Sequence, residues 1–261
     1  MKSLLAFLLA LVVLPCRATT TTPDFSDLWF NPDEFGWGMN VIQQDQILFI
    51  TMFVYGSGGT PTWFVASKVD YTGTSGPSTT FEGPLYRTAG GAIYSAPNFD
   101  PHAVSNTPVG TITFSAFGSN AATVTYTVDG ASVTKNVQRQ TWRAENISGD
   151  YVGASTGTWN GCGARTGYQE YRGAYSVRYN PPNVQIIETT NDFTCNYTGT
   201  YEQTGRMGTI SGNVSCTDNV NVPFLASDVQ VSPLAIAMRM TISQPGACVF
   251  GGRMGGMRRA P

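Results

Sequence analysis

Thr194-Cys195-Asn196-Tyr197-Thr198-Gly199-Thr200-Tyr201-Glu202-Gln203-Thr204-Gly205-Arg206-Met207-Gly208-Thr209-Ile210-Ser211-Gly212-Asn213-Val214-Ser215-Cys216-Thr217 reads as a single β-hairpin. Thr204 to Met207 is a tight turn with Gly205 first of the central pair, as a type II′ turn requires. That turn fixes the register. Tyr201 then faces Ile210, Gly199 faces Gly212, Tyr197 faces Val214 and Cys195 faces Cys216, all on one side of the ribbon. Asn196, Thr198, Thr200 and Glu202 lie on the other side, opposite Ser215, Asn213, Ser211 and Thr209. Two strands that alternate with period two in one shared register are the signature of a sheet with one buried face. Counted from the turn, the cysteines occupy a non-hydrogen-bonded pair, where antiparallel strands approach most closely. A Cys195–Cys216 disulfide follows, and with it an all-β protein from an oxidising compartment.

The rest of the composition agrees. Only 12% of the 261 residues are charged and 29 are glycine, whereas an average globular chain carries about 25% charged residues. A formal net charge of −2 offers no electrostatic attraction to nucleic acid or an anionic membrane. Lys2, the apolar run Leu4 to Leu14 and Cys16-Arg17-Ala18 form a signal peptide over residues 1–18; the run is too short to span a bilayer. No later stretch is apolar enough for a transmembrane helix. With Cys16 removed, Cys162, Cys195, Cys216 and Cys248 remain, which allow three connectivities. The hairpin register selects Cys195–Cys216, leaving Cys162–Cys248 to join the two ends of the second half.

Two β domains are expected after the leader, over residues 19–144 and 145–261, with Glu145 to Gly149 as the linker. In the first, strands are expected at Met39 to Gln43, Ile47 to Tyr55, from Thr62, at Thr79 to Tyr86, Gly110 to Phe117, Ala122 to Val128 and Ser132 to Trp142. Asp129-Gly130 is the turn between the last two. The second restarts at Asp150 to Gly153, with strands at Ala174 to Tyr179, Val184 to Thr190, the hairpin, Phe224 to Val231, Ala235 to Thr241 and Ala247 to Arg253. Each domain is an antiparallel meander that closes as a small barrel or packs as a sandwich. Gly199 opposite Gly212 suits the sharp bend that closure needs.

The pattern Trp29-x-Asn31-Pro32-x-Glu34-x-Gly36-Trp37-Gly38, then Phe53-x-Tyr55-x-x-x-Gly59-x-Pro61-x-Trp63, resembles a module of secreted, β-rich proteobacterial proteins of unknown function. The resemblance continues through Phe81-x-Gly83-x-Leu85-Tyr86-Arg87 to Arg139-Gln140 and covers residues 27 to 143. Cys195 to Cys216 with Gly251-Gly252-Arg253 to Arg258 resembles a pattern that often follows it. The module brings no activity to carry over. Where it commonly has an acidic residue after the Tyr55 position, this chain has Gly56, which argues against a metal-binding loop. An aromatic first strand with an arginine on the last, Trp29 with Arg143, also resembles the lipocalin and avidin type of barrel.

The candidate chemistry is sparse. Trp29, Trp37, Trp63 and Tyr55 either fill a core or form a platform for sugar rings or an apolar ligand. Trp37, between two glycines, is the one expected to be uncovered. Asp33 and Glu34 are adjacent, so on a strand they face opposite ways and cannot act as one acid–base pair. Glu34 would need Glu82, Glu170 or Glu188 as its partner; otherwise it caps the turn after Pro32. His102 is the only histidine, and no Gly-x-Ser-x-Gly elbow exists to supply a nucleophile for it. With the cysteines paired, no zinc set remains. Gly161 to Gly167 misses the dinucleotide fingerprint, so no cofactor is expected. The residues point to a secreted or periplasmic, non-catalytic binding protein that contacts a glycan or apolar ligand through Trp29, Glu34, Trp37, Tyr55 and Trp63. The alternatives are a structural or adhesive envelope subunit that binds other envelope proteins, and a hydrolase using Glu34 or His102.

Overall fold

The computed structural model describes residues 22–91 and 98–259; the expected signal peptide lies outside them. Sixteen antiparallel strands form two closed eight-stranded barrels, each a meander in chain order. The first barrel runs β1 (Asp27–Phe30), β2 (Gly38–Gln44), β3 (Ile47–Tyr55), β4 (Pro61–Ser75), β5 (Ser78–Ala89), β6 (Ser105–Phe117), β7 (Ala121–Val128) and β8 (Ala131–Arg139). The second runs β9 (Gly149–Asn160), β10 (Gly167–Asn180), β11 (Asn183–Thr190), β12 (Thr194–Thr204), β13 (Met207–Cys216), β14 (Asn221–Val231), β15 (Ala235–Gln244) and β16 (Cys248–Arg258). Closure decides for barrels over sandwiches.

The β12–β13 hairpin has the register its sequence dictates, from Thr204↔Met207 through Gly199↔Gly212 to Cys195↔Cys216. Gly205 adopts φ +59, the left-handed value that the first central residue of a type II′ turn takes. A side chain at Gly199 would strike the carbonyl of Ser211, and one at Gly212 the carbonyl of Thr198. Both disulfides are present: Cys195–Cys216 with Cα atoms 4.0 Å apart, and Cys162–Cys248 at 4.6 Å. Such bridges fit an extracytoplasmic protein. Among the described residues no helix is long and apolar enough to cross a membrane.

The two barrels close differently. In the second, β9 pairs with β16 over ten rungs, from Val249↔Asn160 to Arg258↔Tyr151. In the first, β1 and β8 share two, Trp29↔Arg139 and Phe30↔Gln138. Arg139 makes up the difference. Wholly buried, it donates to the carbonyls of Ser119 (2.6 Å), Asp24 (2.5 Å) and Ser26 (3.3 Å) and to the Asp27 carboxylate (3.1 Å). Its guanidinium lies 5.0 Å from the ring centre of Trp29. The arginine partnering Trp29 is therefore Arg139, not Arg143. The expected strand to Trp142 stops at Arg139, because the chain leaves the sheet once the seam is closed; Trp142 is exposed.

The second barrel repeats this device. Arg258, from the last strand, lies 4.9 Å from the ring centre of Tyr151 and donates to its hydroxyl. Tyr151 in turn donates to the carbonyl of Ile147, four residues back, as Trp29 donates to that of Phe25. Each barrel is thus closed by an aromatic residue of its first strand clamped under an arginine of its last.

The barrels meet at the hairpin turn. The amide of Arg206 donates to Asp27 (2.8 Å), the amide of Gly205 to Thr141 (2.7 Å), and Gln203 to the carbonyl of Arg143 (3.1 Å). A methyl group at Gly205 would collide with Asp27 and Arg139. The turn of the second barrel is consequently part of the seam of the first.

Candidate functional site

Inside the first barrel, Phe25, Trp29, Phe81 and Phe114 pack edge to face or tilted with ring centres 5.1 to 5.8 Å apart. Leu48, Ile50, Met52 and Ile112 fill the space around them with no exposure. Trp29 is therefore core. Trp37, from the β1–β2 loop, is half-buried and packs against the same core, as Val109, Tyr126 and Val128 do. Its indole N–H donates to Glu34 (2.9 Å), which also accepts from Lys135 at 2.8 and 2.9 Å. The Lys135 ammonium and the indole hold the Glu34 carboxyl below its ordinary range. Glu34 thus ties Trp37 of the β1–β2 loop to Lys135 of β8. Neither is an open platform, and Trp37 is covered despite its glycine neighbours because the loop folds it inward.

None of the three carboxylates expected as partners faces Glu34. Glu82 is exposed on β5, Glu170 binds Arg172 on the outside of the second barrel, and Glu188 lies inside that barrel. His102 is exposed in the turn Pro101–Ala103, where its amide donates to Asp100.

Tyr55 and Trp63 lie elsewhere, on the outer face of β2, β3 and β4. Inward residues of β3 are Leu48, Ile50 and Met52, so the same strand turns Phe49, Phe53 and Tyr55 outward. Register sets Trp63 beside Phe53, Ile42 beside Phe49 and Asn40 beside Thr51. Trp63 and Phe53 are each 51% exposed and Tyr55 59%. Gly38 is the other neighbour of Phe53, so nothing covers that side of the ring. The Trp63 indole donates to Thr88 (2.9 Å), which fixes its orientation. A contiguous exposed aromatic face is uncommon on a monomer and marks a surface that meets something else.

The second barrel carries a feature of another kind. The inward residues of β9 are large at its ends, Tyr151 and Trp159, and small between them, Gly153, Ser155 and Gly157, which leaves room in the barrel interior. Glu188 enters that space, 1% exposed. Its carboxylate accepts from Ser155 (2.6 Å) and Tyr197 (2.8 Å), and burial pushes its pKa up. A cavity of about 40 Å³ adjoins it, walled by Trp159, Tyr171, Phe193, Tyr197 and Phe250. Arg165 stands at its mouth, paired with Asp218 (3.1 Å) and 5.4 Å from the ring centre of Trp159.

No family model matches the chain, and no curated protein does. Among solved structures it is similar to two mutant forms of transferrin binding protein B, a vaccine antigen from Haemophilus parasuis. Identity is 11% and the TM-score 0.29 in both; the first alignment covers 86% of this chain and 61% of that one. The chain thus spans about three fifths of that protein's length.

Proposed function

We propose that this chain is an extracytoplasmic, non-catalytic binding protein whose first barrel recognises a glycan on its outer aromatic face. One observation carries the reading: Phe53, Tyr55 and Trp63 stand exposed and side by side on a sheet whose interior is full. A sugar ring presents an apolar C–H face that stacks on such rings, and its hydroxyls need uncharged partners at the margin, which Asn40, Thr51 and Thr88 supply. Because Trp63 is already fixed by its bond to Thr88, little side-chain entropy is lost on binding. The filled interior leaves an apolar ligand no room inside this barrel, so its surface is where recognition takes place. The two disulfides and the resemblance to secreted bacterial modules support the compartment.

Titration of the protein with a panel of bacterial cell-envelope and host polysaccharides, read by calorimetry and tryptophan fluorescence, tests it. A Trp63→Ala variant is expected to lose binding by about 2 kcal/mol or more, the usual cost of truncating an aromatic anchor, without loss of folded structure. Binding by no member of the panel, or equal binding by Trp63→Ala and Phe53→Ala, refutes it.

A further inference from the structure

We propose that the end of the second barrel opposite the Thr204–Met207 turn is a binding site for a small organic cation: an amine or alkylammonium that also carries a hydroxyl oxygen. This goes beyond the glycan reading and does not depend on it, since the site lies in the other barrel.

Three features of the cavity point to that chemistry. The first is acidic oxygen left short of a cation: Glu188 is held only by the neutral hydroxyls of Ser155 and Tyr197. Asp218 uses one oxygen on Arg165, while its Oδ1 is buried with no partner. A carboxylate taken out of water is costly unless a cation joins it. The second is the wall. Trp159, Tyr171, Phe193, Tyr197 and Phe250 surround the cavity, and the faces of such rings attract an ammonium group. The third is a lone donor. The Trp159 indole N–H is buried and has no acceptor, so a ligand that fits carries an oxygen as well as a positive charge.

Arg165 shows the site accepting a cation. Its guanidinium already stands over Trp159 and against Asp218, yet its side chain is 38% exposed. It belongs to the turn Gly163–Arg165, between Cys162 and Gly167. The Cys162–Cys248 bridge anchors the base of that turn, so the side chain can swing outward while the loop stays. Size sets the ligand class. About 40 Å³ of cavity holds roughly three to four water-sized groups at about 10–15 Å³ each, and ethanolamine has four heavy atoms. Ethanolamine fits with Arg165 in place; choline needs Arg165 displaced.

The test is calorimetric titration of the full chain with ethanolamine and with choline, alongside Arg165→Ala, Glu188→Gln and Trp159→Phe variants. Melting curves establish that each variant is folded. Removing the resident cation with Arg165→Ala is expected to tighten binding at least tenfold, more for choline than for ethanolamine. Glu188→Gln is expected to weaken it at least tenfold, and Trp159→Phe to weaken ethanolamine several-fold. A parallel titration with phosphatidylcholine vesicles separates a free amino alcohol from a lipid headgroup; either source, if sensitive to Glu188→Gln, supports the site. Absence of binding to wild type and Arg165→Ala alike at millimolar ligand overturns the proposal. So does binding that Glu188→Gln leaves unchanged. Should Glu188→Gln not fold, unchanged affinity in both Arg165→Ala and Trp159→Phe overturns it on its own.

Discussion

A carboxyl group sealed inside a barrel by two hydroxyls resists ionisation, and this makes Glu188 a pH-dependent liability. Its folded-state pKa lies above the ordinary value of 4.5 because burial disfavours the anion. The unfolded chain therefore releases this proton at lower pH than the folded one. The folded state is favoured fully below about pH 4.5, and that advantage is lost as pH rises toward the folded-state pKa. Glutamine has no proton to lose. Glu188→Gln is expected to melt higher than wild type at pH 7, with the difference shrinking as the pH is lowered toward 4. Parallel melting curves at every pH would contradict the assignment. Arg139 presents the opposite case, a buried cation with its anion supplied. Replacing it by alanine leaves Asp27 buried and uncompensated and strips the seam of its hydrogen bonds. The expected loss is about 3–5 kcal/mol by chemical denaturation, and a loss below 1 kcal/mol would show the clamp to be incidental.

At the level of strands and bridges, the two disulfides differ in what they hold. Cys195–Cys216 ties residues 21 apart and Cys162–Cys248 residues 86 apart. Chain-entropy arguments put the first at about 3.5 kcal/mol and the second at about 4.5 kcal/mol. Double alanine replacement of Cys162 and Cys248 is thus expected to cost about 1 kcal/mol more than that of Cys195 and Cys216. The reverse order would mean that native-state packing, not loop closure, governs. The hairpin was legible in full because polar and apolar residues alternate cleanly on both strands and the turn leaves one register. β9 was legible only at its start, since Gly153, Ser155 and Gly157 occupy inward positions and mimic a loop. The near-continuous apolar run of β3 marks a strand without showing which of its faces is buried. Among the described residues nothing covers the outward half, and that uncovered half is the candidate face. Glu188 was open to discovery: alternation from Val184 through Ile186 places it on the buried side of β11. What the sequence could not tell was which of two nearby arginines closes the first barrel, because Arg139 and Arg143 are distinguished by register and not by type.

Across the molecule, the bonds from Gly205 and Arg206 make the barrels one unit at the seam of β1 and β8. Gly205→Ala puts a methyl group against Asp27 and Arg139 at a residue held in the left-handed region. It is expected to destabilise the chain by about 1–3 kcal/mol and to speed proteolysis in residues 140–148, as read by limited digestion. Arg206→Ala removes a solvent-exposed ion pair with Asp24 and an exposed hydrogen bond to the Ser26 carbonyl and is expected to change stability by less than about 1 kcal/mol. Equal digestion rates for Gly205→Ala and wild type would show that the turn merely touches the seam. The aromatic face and the Glu188 cavity lie in different barrels, so occupancy of one leaves the other accessible.

A closure of two rungs also has a consequence in time. During synthesis the amino-terminal half leaves the ribosome first, while the segment that completes its fastening, residues 203–206, follows more than sixty positions later. For that interval β1 and β8 stand as nearly bare margins, open to a neighbouring nascent chain or a protease. The second barrel, with its ten-rung overlap, needs no such help. Arresting translation while residues 203–206 are still inside the ribosome and again after they have emerged, and pulsing with protease, is expected to show the first half become resistant only in the longer product. Equal resistance at both lengths would mean that the early half fastens itself unaided.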